Sequence, residues 1–272
     1  MYGNEQRTSG WGGTQRTMIP TLLKPPASRP SPERSPLDNR LLATLTDVAY
    51  ARLRPHLESV ELALGSSLYE PGSLLRHAYF PTTSIVSLLY VMNDGGSAEI
   101  AVVGNDGIVG TSLFLGGGST SSRAIVQNAG FAYRIKVQAL MAEFDLHGEL
   151  QLVLLRYTQA LLTQMVQTAA CNRHHALDRQ FCRWLLLSLD RLPSHELTMT
   201  EKLMANMLGV TVAQVTTLAD DLQALGLLTH KGGQIRVVDR AGLEQKSCEC
   251  YGVVKTETDR LLPPRGALLT AA

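Results

Sequence analysis

Leu41, Leu42, Leu45, Val48, Leu53 and Leu57 recur at helical spacing and predict one or two short helices. From Val60 the period changes. Short apolar runs (VELAL, SSLYE, HAYFP, SIVSLLYVM, AEIAVVG, AIVQ and FAYRIKV) are separated by Gly65, Pro71-Gly72, Asn93-Asp94-Gly95-Gly96 and Asn105-Asp106-Gly107. Strands at this spacing with Gly and Asn/Asp turns predict an antiparallel roll or sandwich, jelly-roll-like in form. A helical tract then runs from Gln138 to about Leu192. Leu150, Leu154, Tyr157, Leu161 and Met165 form one stripe, and Leu155, Leu162, Val166 and Ala169 form a second beside it. One neighbour cannot hide so wide a stripe. One part packs on the roll, and the rest needs either the same helix of a second subunit, giving a two-fold homodimer, or a single larger core. A further helix, Ala176 to Leu192, is stopped by Pro193.

The segment Leu197 to Val238 carries the sharpest pattern. A helix over Thr200–Met207 meets a turn at Leu208-Gly209-Val210, and a second helix over Thr211–Leu225 is stopped by Gly226. A hairpin with Gly232-Gly233 at its tip follows. Two helices joined by a short Gly-containing turn are the helix-turn-helix pattern, and the hairpin makes it winged. Its use is to place the second helix in a DNA major groove. Val212, Val215, Leu218, Ala219, Leu222 and Leu225 give that helix one buried stripe, with Thr200 and Thr211 as N-caps. A small helical hairpin with no nucleic-acid role is the plainer alternative.

Composition narrows the classes. A chain of 272 residues implies two modest domains. The formal net charge of +1 gives no global basic field. No run of 18 apolar residues indicates a membrane span. The N-terminus lacks an apolar signal core, and four cysteines in a chain of this length do not form an extracellular disulfide framework, so a cytoplasmic protein is expected. Residues 1–36, rich in Gly, Ser, Thr and Pro, read as a disordered leader in which Met18 offers another start. Thr256 to Ala272 shows no period and reads as a loose tail.

The order of parts resembles the Crp–Fnr family of bacterial transcription regulators over about Leu41 to Tyr251. The residues that carry the resemblance are Tyr69-Glu70-Pro71-Gly72, Tyr79-Phe80, Ser84-Ile85-Val86, Asp106-Gly107-Ile108-Val109-Gly110, Ser122-Arg123-Ala124, LTMTEKLMANMLGV and LQALGLL. The resemblance implies an α+β chain: a cyclic-nucleotide-binding-like β-roll sensor at 37–145, a dimerisation helix at 146–175, a winged helix-turn-helix at 176–251 and a tail at 252–272. It also implies binding as a homodimer to a palindromic DNA operator, under the control of a small-molecule effector. Gly110, Thr111, Ser112, Arg123 and Ala124 are the implied effector residues. Cyclic-nucleotide binders of the family place Glu after the Gly, and here that position is Thr111. The neutral hydroxyl lacks the charge-assisted strength of a carboxylate.

The recognition helix departs from the family as well. Val212, Ala213 and Thr217 stand where relatives place Arg, Glu and a basic residue. Arg to guanine is worth about 1–3 kcal/mol of discrimination. The remaining DNA-binding candidates are Thr200, Lys202, Thr211, Gln214, Thr216, Thr217, Lys231 and Arg236, together with Val212 and Ala213 by position. From Leu197 to Leu243, Glu201, Asp220, Asp221 and Asp239 balance Lys202, Lys231, Arg236 and Arg240. Phosphate contacts supply most non-specific affinity, so this module binds DNA weakly or has become a sensory or protein-interaction module of the same fold.

Cys171-Asn172-Arg173-His174-His175, Cys182 and the Cys248/Cys250 pair invite a metal reading. Residues in a turn between helices more commonly bond backbone or carboxylate, and no metal is assigned. The first cysteine is Cys171, so the cysteine cluster ahead of the roll that an iron–sulfur sensor needs is missing. His56, His77, His147 and His174 are all possible haem ligands, with nothing to single one out, and the cofactor is unknown. Gly116-Gly117-Gly118 lacks the Lys-Ser/Thr of a P-loop and reads as a roll turn. With no Ser, His and Asp grouping and no paired carboxylates, an enzyme is not expected.

Overall fold

The computed structural model describes residues 35–93, 96–192 and 196–263. The leader read at residues 1–36 lies outside the described residues up to 34. Ser35 opens a short turn, its Oγ accepting the N–H of Leu37. Two helices follow, α1 (Arg40–Thr44) and α2 (Asp47–Leu53). The Asn39 side chain caps α1, and its Nδ2 donates to the carbonyls of Pro81 and Gly107, tying the start of the chain to the roll.

The seven strands match the seven apolar runs. They are β1 (Glu58–Leu62), β2 (Ser67–Tyr69), β3 (His77–Pro81), β4 (Ile85–Val91), β5 (Ser97–Val103), β6 (Arg123–Asn128) and β7 (Gly130–Lys136). They form two antiparallel sheets, ordered β1-β7-β3 and β2-β6-β4-β5. The larger sheet is covered on both sides, which is why the β4 run is nearly continuous in apolar residues. Val86 and Leu88 join Phe80, Ala132 and Ile135 in the core between the sheets, whereas Ile85, Leu89 and Val102 join a second core built by the C-terminal half.

The helical tract divides into α3 (Val137–Phe144), α4 (Glu149–His174) and α5 (Leu177–Leu189), the last at the place of the helix read over Ala176 to Leu192. The first α4 stripe is the inward one, with Leu150, Leu154, Tyr157 and Leu161 buried on the roll and Met165 partly so. The second stripe faces outward. Leu155 is 46% exposed, Leu162 51% and Val166 63%, and Ala169 is exposed too. The spacing of these four, with Gln159 between, alternates four and three residues, the period of a coiled-coil seam.

Beyond residue 196, β8 (Glu196–Thr198), α6 (Glu201–Leu208), α7 (Val212–Ala224), β9 (Leu228–Lys231) and β10 (Gln234–Val237) follow, then α8 (Arg240–Lys246) and α9 (Glu249–Leu261). The last of these corrects the sequence reading. Thr256 to Leu261 belong to a helix lying along α4, with Tyr251, Val254, Thr258 and Leu261 buried. The Arg240 guanidinium, bound to both Asp190 and the Tyr251 hydroxyl, holds its start. Few apolar residues with polar buried neighbours gave too weak a period to read.

Between the outer face of the larger sheet and α5 sits a buried polar chain. Ser87 Oγ lies 2.5 Å from Glu99 Oε2 and 2.6 Å from Gln127 Oε1, and Gln127 Nε2 donates to Ser188 Oγ at 2.9 Å. One hydroxyl hydrogen cannot serve two acceptors. The chain closes when Glu99 carries a proton and donates to Ser87, while Ser87 donates to Gln127. Burial, the largest effect, pushes Glu99 from 4.5 up to about 7, against the fields of Arg183 and Arg191 and the hydrogen bond that Ser87 would give the ionised carboxylate. In the unfolded chain Glu99 ionises near the ordinary value. The stability from its proton is therefore full below that value and is lost as pH rises through the folded one, at about 1.4 kcal/mol per pH unit. Glu99→Gln is expected to flatten this dependence when urea midpoints are compared at pH 5 and pH 8. An unchanged slope would place the titration elsewhere.

Candidate nucleic-acid interface

The pair α6–α7 is a locally specified element. Thr200 caps α6 by accepting the Leu203 N–H, and Gly209 ends it with φ +66°, a left-handed conformation that a side chain would strain. Thr211 opens α7 in a capping box: its Oγ1 accepts the Gln214 N–H, and Gln214 Oε1 accepts the Thr211 N–H. Each cap stabilises its helix by about 1 kcal/mol. Val215, Ala219 and Leu222 are buried against α6 and the wing. The wing is a three-stranded antiparallel sheet, ordered β8-β10-β9, in which Gln234 faces both Thr198 and Lys231.

The outer face of α7 presents Thr211, Val212, Ala213, Gln214 and Thr217 to solvent. Two candidates are more constrained than their position in sequence implied. Thr216 is half-buried, its Oγ1 lying 3.0 Å from Glu201 Oε2 on α6 and 3.1 Å from the Val212 carbonyl, between which its one hydrogen is shared. Thr217 donates to the Ala213 carbonyl, so its oxygen faces outward mainly as an acceptor. Gln214 keeps its amide nitrogen for a partner because the cap uses only Oε1. Lys202 and Lys231 are exposed, and Arg236 Nε stands 3.6 Å from Glu196 Oε1. Asp220 sits 2.8 Å from His230 Nε2 on β9, which compensates its charge when the imidazole is protonated.

Such a module needs a fixed relation to the roll. Thr198 N–H donates to Asn128 Oδ1, and α6 packs against β5. Behind it, Arg191 is buried and holds three elements together. Its Nη2 lies 3.0 Å from Asp106 Oδ2 and donates to Gln164 Oε1 at 3.0 Å, while Nη1 donates to the Leu187 carbonyl at 2.7 Å. In the same corner Gly107 lies under the Tyr157 ring, where an added Cβ would fall 2.5 Å from the hydroxyl. The Asp106-Gly107 pair is therefore a docking point for α4, a role that its turn-like sequence hid.

Residues 179–246 match the family model described as a Crp-like helix-turn-helix domain. The described residues around it carry the matching antiparallel sheets and long helix. That segment is a Crp-like helix-turn-helix domain. Three solved structures show the same fold. FixK2 from Bradyrhizobium japonicum is 16% identical with a TM-score of 0.59, over 71% of this chain and 98% of its own. A CRP-family transcriptional regulator from Thermus thermophilus, TTHB099, is 17% identical with a TM-score of 0.57, over 69% and 96%. The c-di-GMP responsive global regulator CLP of Xanthomonas campestris is 15% identical with a TM-score of 0.56, over 71% and 99%. No curated protein matches the sequence. Among the described residues, no helix is long and apolar enough to cross a membrane.

Of the sensor candidates in the roll, Gly110 packs on Ala78 of β3, Ser112 holds the Gly-rich turn, and Arg123 and Ala124 open β6. Gly110 has φ +111° and leads into a short 3-10 turn, Thr111–Leu113. The Ser112 carbonyl accepts the N–H groups of Gly117 and Gly118, and its buried Oγ has no partner among the described residues. Arg123 donates from Nε to Glu70 Oε2 at 2.6 Å across the β2–β6 pair, and Ala124 is fully buried beneath the sheet. Arg123 is thus already neutralised by the Glu70 of the Tyr-Glu-Pro-Gly turn. An anion reaching it has to compete with that carboxylate.

Proposed function

We propose that this protein is a DNA-binding transcription regulator working as a two-fold homodimer in the cytoplasm. The roll (37–145) senses a small-molecule effector, the helix at 146–175 dimerises, and the module at 176–251 reads a palindromic operator. A signal at the roll shifts α4 and re-spaces the two recognition helices. The observation that carries the reading is the exposed, doubly capped first half of α7 beside a wing bearing Lys231. An exposed helix start beside a tight turn and a wing is the geometry by which such a module enters a major groove. The outward stripe of α4 supports the dimer, since two half-sites need two recognition helices. The effector cradle is assigned to Gly110, Thr111, Ser112 and Arg123, with release of Arg123 from Glu70 as the cost of binding an anion.

The second reading, a module of this fold that has lost operator recognition, is favoured by one feature: α7 offers no Arg or Lys, while Asp220 and Asp221 are exposed. Selection of duplexes from a random pool separates the two. An enriched palindrome whose affinity falls as salt rises supports the regulator. Absence of enrichment, with and without added cell metabolites, supports the second reading. Val212→Arg with Ala213→Glu is expected to raise affinity for guanine-containing half-sites ten- to a hundredfold, corresponding to the roughly 1–3 kcal/mol of a bidentate contact. No change in an intact dimer would mean that α7 does not enter the groove.

A further inference from the structure

Apart from the α7 face and the candidate roll cradle, one cluster of metal-ligating side chains stands out among the described residues. Cys171 and His175 stand four residues apart at the end of α4, and Cys248 and Cys250 open α9. The four ligand atoms lie within 4.8 Å of one another. We infer that Cys171, His175, Cys248 and Cys250 form a closed tetrahedral site for a divalent, borderline-soft metal ion of the zinc class.

The distances fit a tetrahedron. Zinc–sulfur bonds of about 2.3 Å and zinc–nitrogen bonds of about 2.0–2.1 Å put tetrahedral ligand atoms roughly 3.5–3.8 Å apart. Cys171 Sγ and Cys248 Sγ are 3.5 Å apart, and Cys250 Sγ is 3.6 Å from His175 Nδ1. A disulfide accounts for two sulfurs but leaves the third thiol and the imidazole on the same point unexplained.

The surroundings are those of a structural metal site. All three cysteines are buried and His175 is half-buried, so the four ligands shut out solvent. Structural zinc sites are closed in this way, whereas catalytic ones keep an open position. His175 turns Nδ1 to the cluster, and its Nε2 lies 3.3 Å from Glu249 Oε1. A carboxylate on the far nitrogen fixes the tautomer and orientation of a metal-bound imidazole. Cys248 is the N-cap of α9 and Cys250 lies in its first turn, where the helix dipole favours thiolates. Three thiolates around a divalent ion leave one negative charge. The buried guanidinium of Arg183 is close enough to Cys171 to act on it electrostatically, and balances that charge.

The ligands come from both sides of one joint. Cys171 and His175 end α4 where the chain turns into α5, and Cys248 and Cys250 start the helix that lies back along α4. The metal thereby pins α9 to the end of the long helix. His174, one residue from a ligand, and Cys182 on α5 stay outside the cluster.

The full chain, purified under reducing conditions without chelator, is expected to hold about one equivalent of zinc, or to take it up on reconstitution. X-ray absorption should show three sulfurs and one nitrogen at the distances above. Cobalt(II) in its place should give the intense visible bands of a tetrahedral thiolate complex. Cys248→Ser, Cys250→Ser and His175→Gln should each lose most of the bound metal, and Cys182→Ser, which removes a buried thiol outside the cluster, should keep it. The wild-type spectra do not depend on how well the variants fold. Absence of the tetrahedral signature after reconstitution overturns the inference. So does a Cys171–Cys248 disulfide that persists through the reducing purification in place of metal, or equal loss of metal in Cys182→Ser.

Discussion

Leu155→Glu combined with Leu162→Glu is expected to turn the protein into a folded monomer with sharply weakened operator binding. Both side chains are about half exposed on α4 and belong to its outward stripe, so neither supports the core on the opposite face. Exposed leucines at coiled-coil spacing bury apolar surface only against a second helix, worth about 1.5–3 kcal/mol for each fully covered side chain. Charge at the seam removes that gain and sets like charges against each other across the two-fold axis. Linking two half-site contacts multiplies affinity by roughly 10²–10⁴, and the monomer forfeits that factor. Sedimentation with duplex titration reads both effects. A variant that stays dimeric would move the interface off this stripe, and a monomer with unchanged affinity would detach DNA binding from dimerisation.

Arg191→Met is expected to lower stability by about 3–5 kcal/mol, because it leaves the Asp106 carboxylate buried without its cation. Arg191 and Asp106 are only 5% and 8% exposed, and the same guanidinium also satisfies Gln164 and the Leu187 carbonyl. Adding Asp106→Asn to the variant should recover part of the loss, since the uncompensated charge is then gone. Urea unfolding measures both steps. A single variant within about 1 kcal/mol of the parent would show that water reaches the corner and screens the carboxylate. The corner joins the roll, α4 and the turn after α5, so under the proposed function it is also a place where a change in the roll would reach the helix-turn-helix.

The frame of the helix-turn-helix was legible because it is local. Gly209, the two threonine caps and the apolar stripe of α7 act over a few residues, and helix and turn formation depend on little else. The individual contacts were less so. Thr216 looked equivalent to Thr217 by position, yet Glu201 draws it towards α6 because α6 crosses at that turn. Arg123 is a candidate anion ligand only through resemblance, and its pairing with Glu70 follows from strand register, which places β2 beside β6.

By itself the sequence determined the period of each element, the order of roll, long helix and winged module, and the outward stripe that asks for a second subunit. These rest on local backbone preference and on the alternation of polar and apolar positions. Tertiary structure decided what depends on distant residues meeting. It made Asp106 a partner of Arg191 rather than a plain turn residue, raised the proton affinity of Glu99 by burying it beside Ser87, and carried the chain past Tyr251 into α9. It also brought Cys171 to Cys248, 77 residues away. Cysteine and histidine spacings carry a metal signal only when the ligands are close in the chain. Here two short pairs meet because α9 folds back along α4, and the geometry of that return is set by packing.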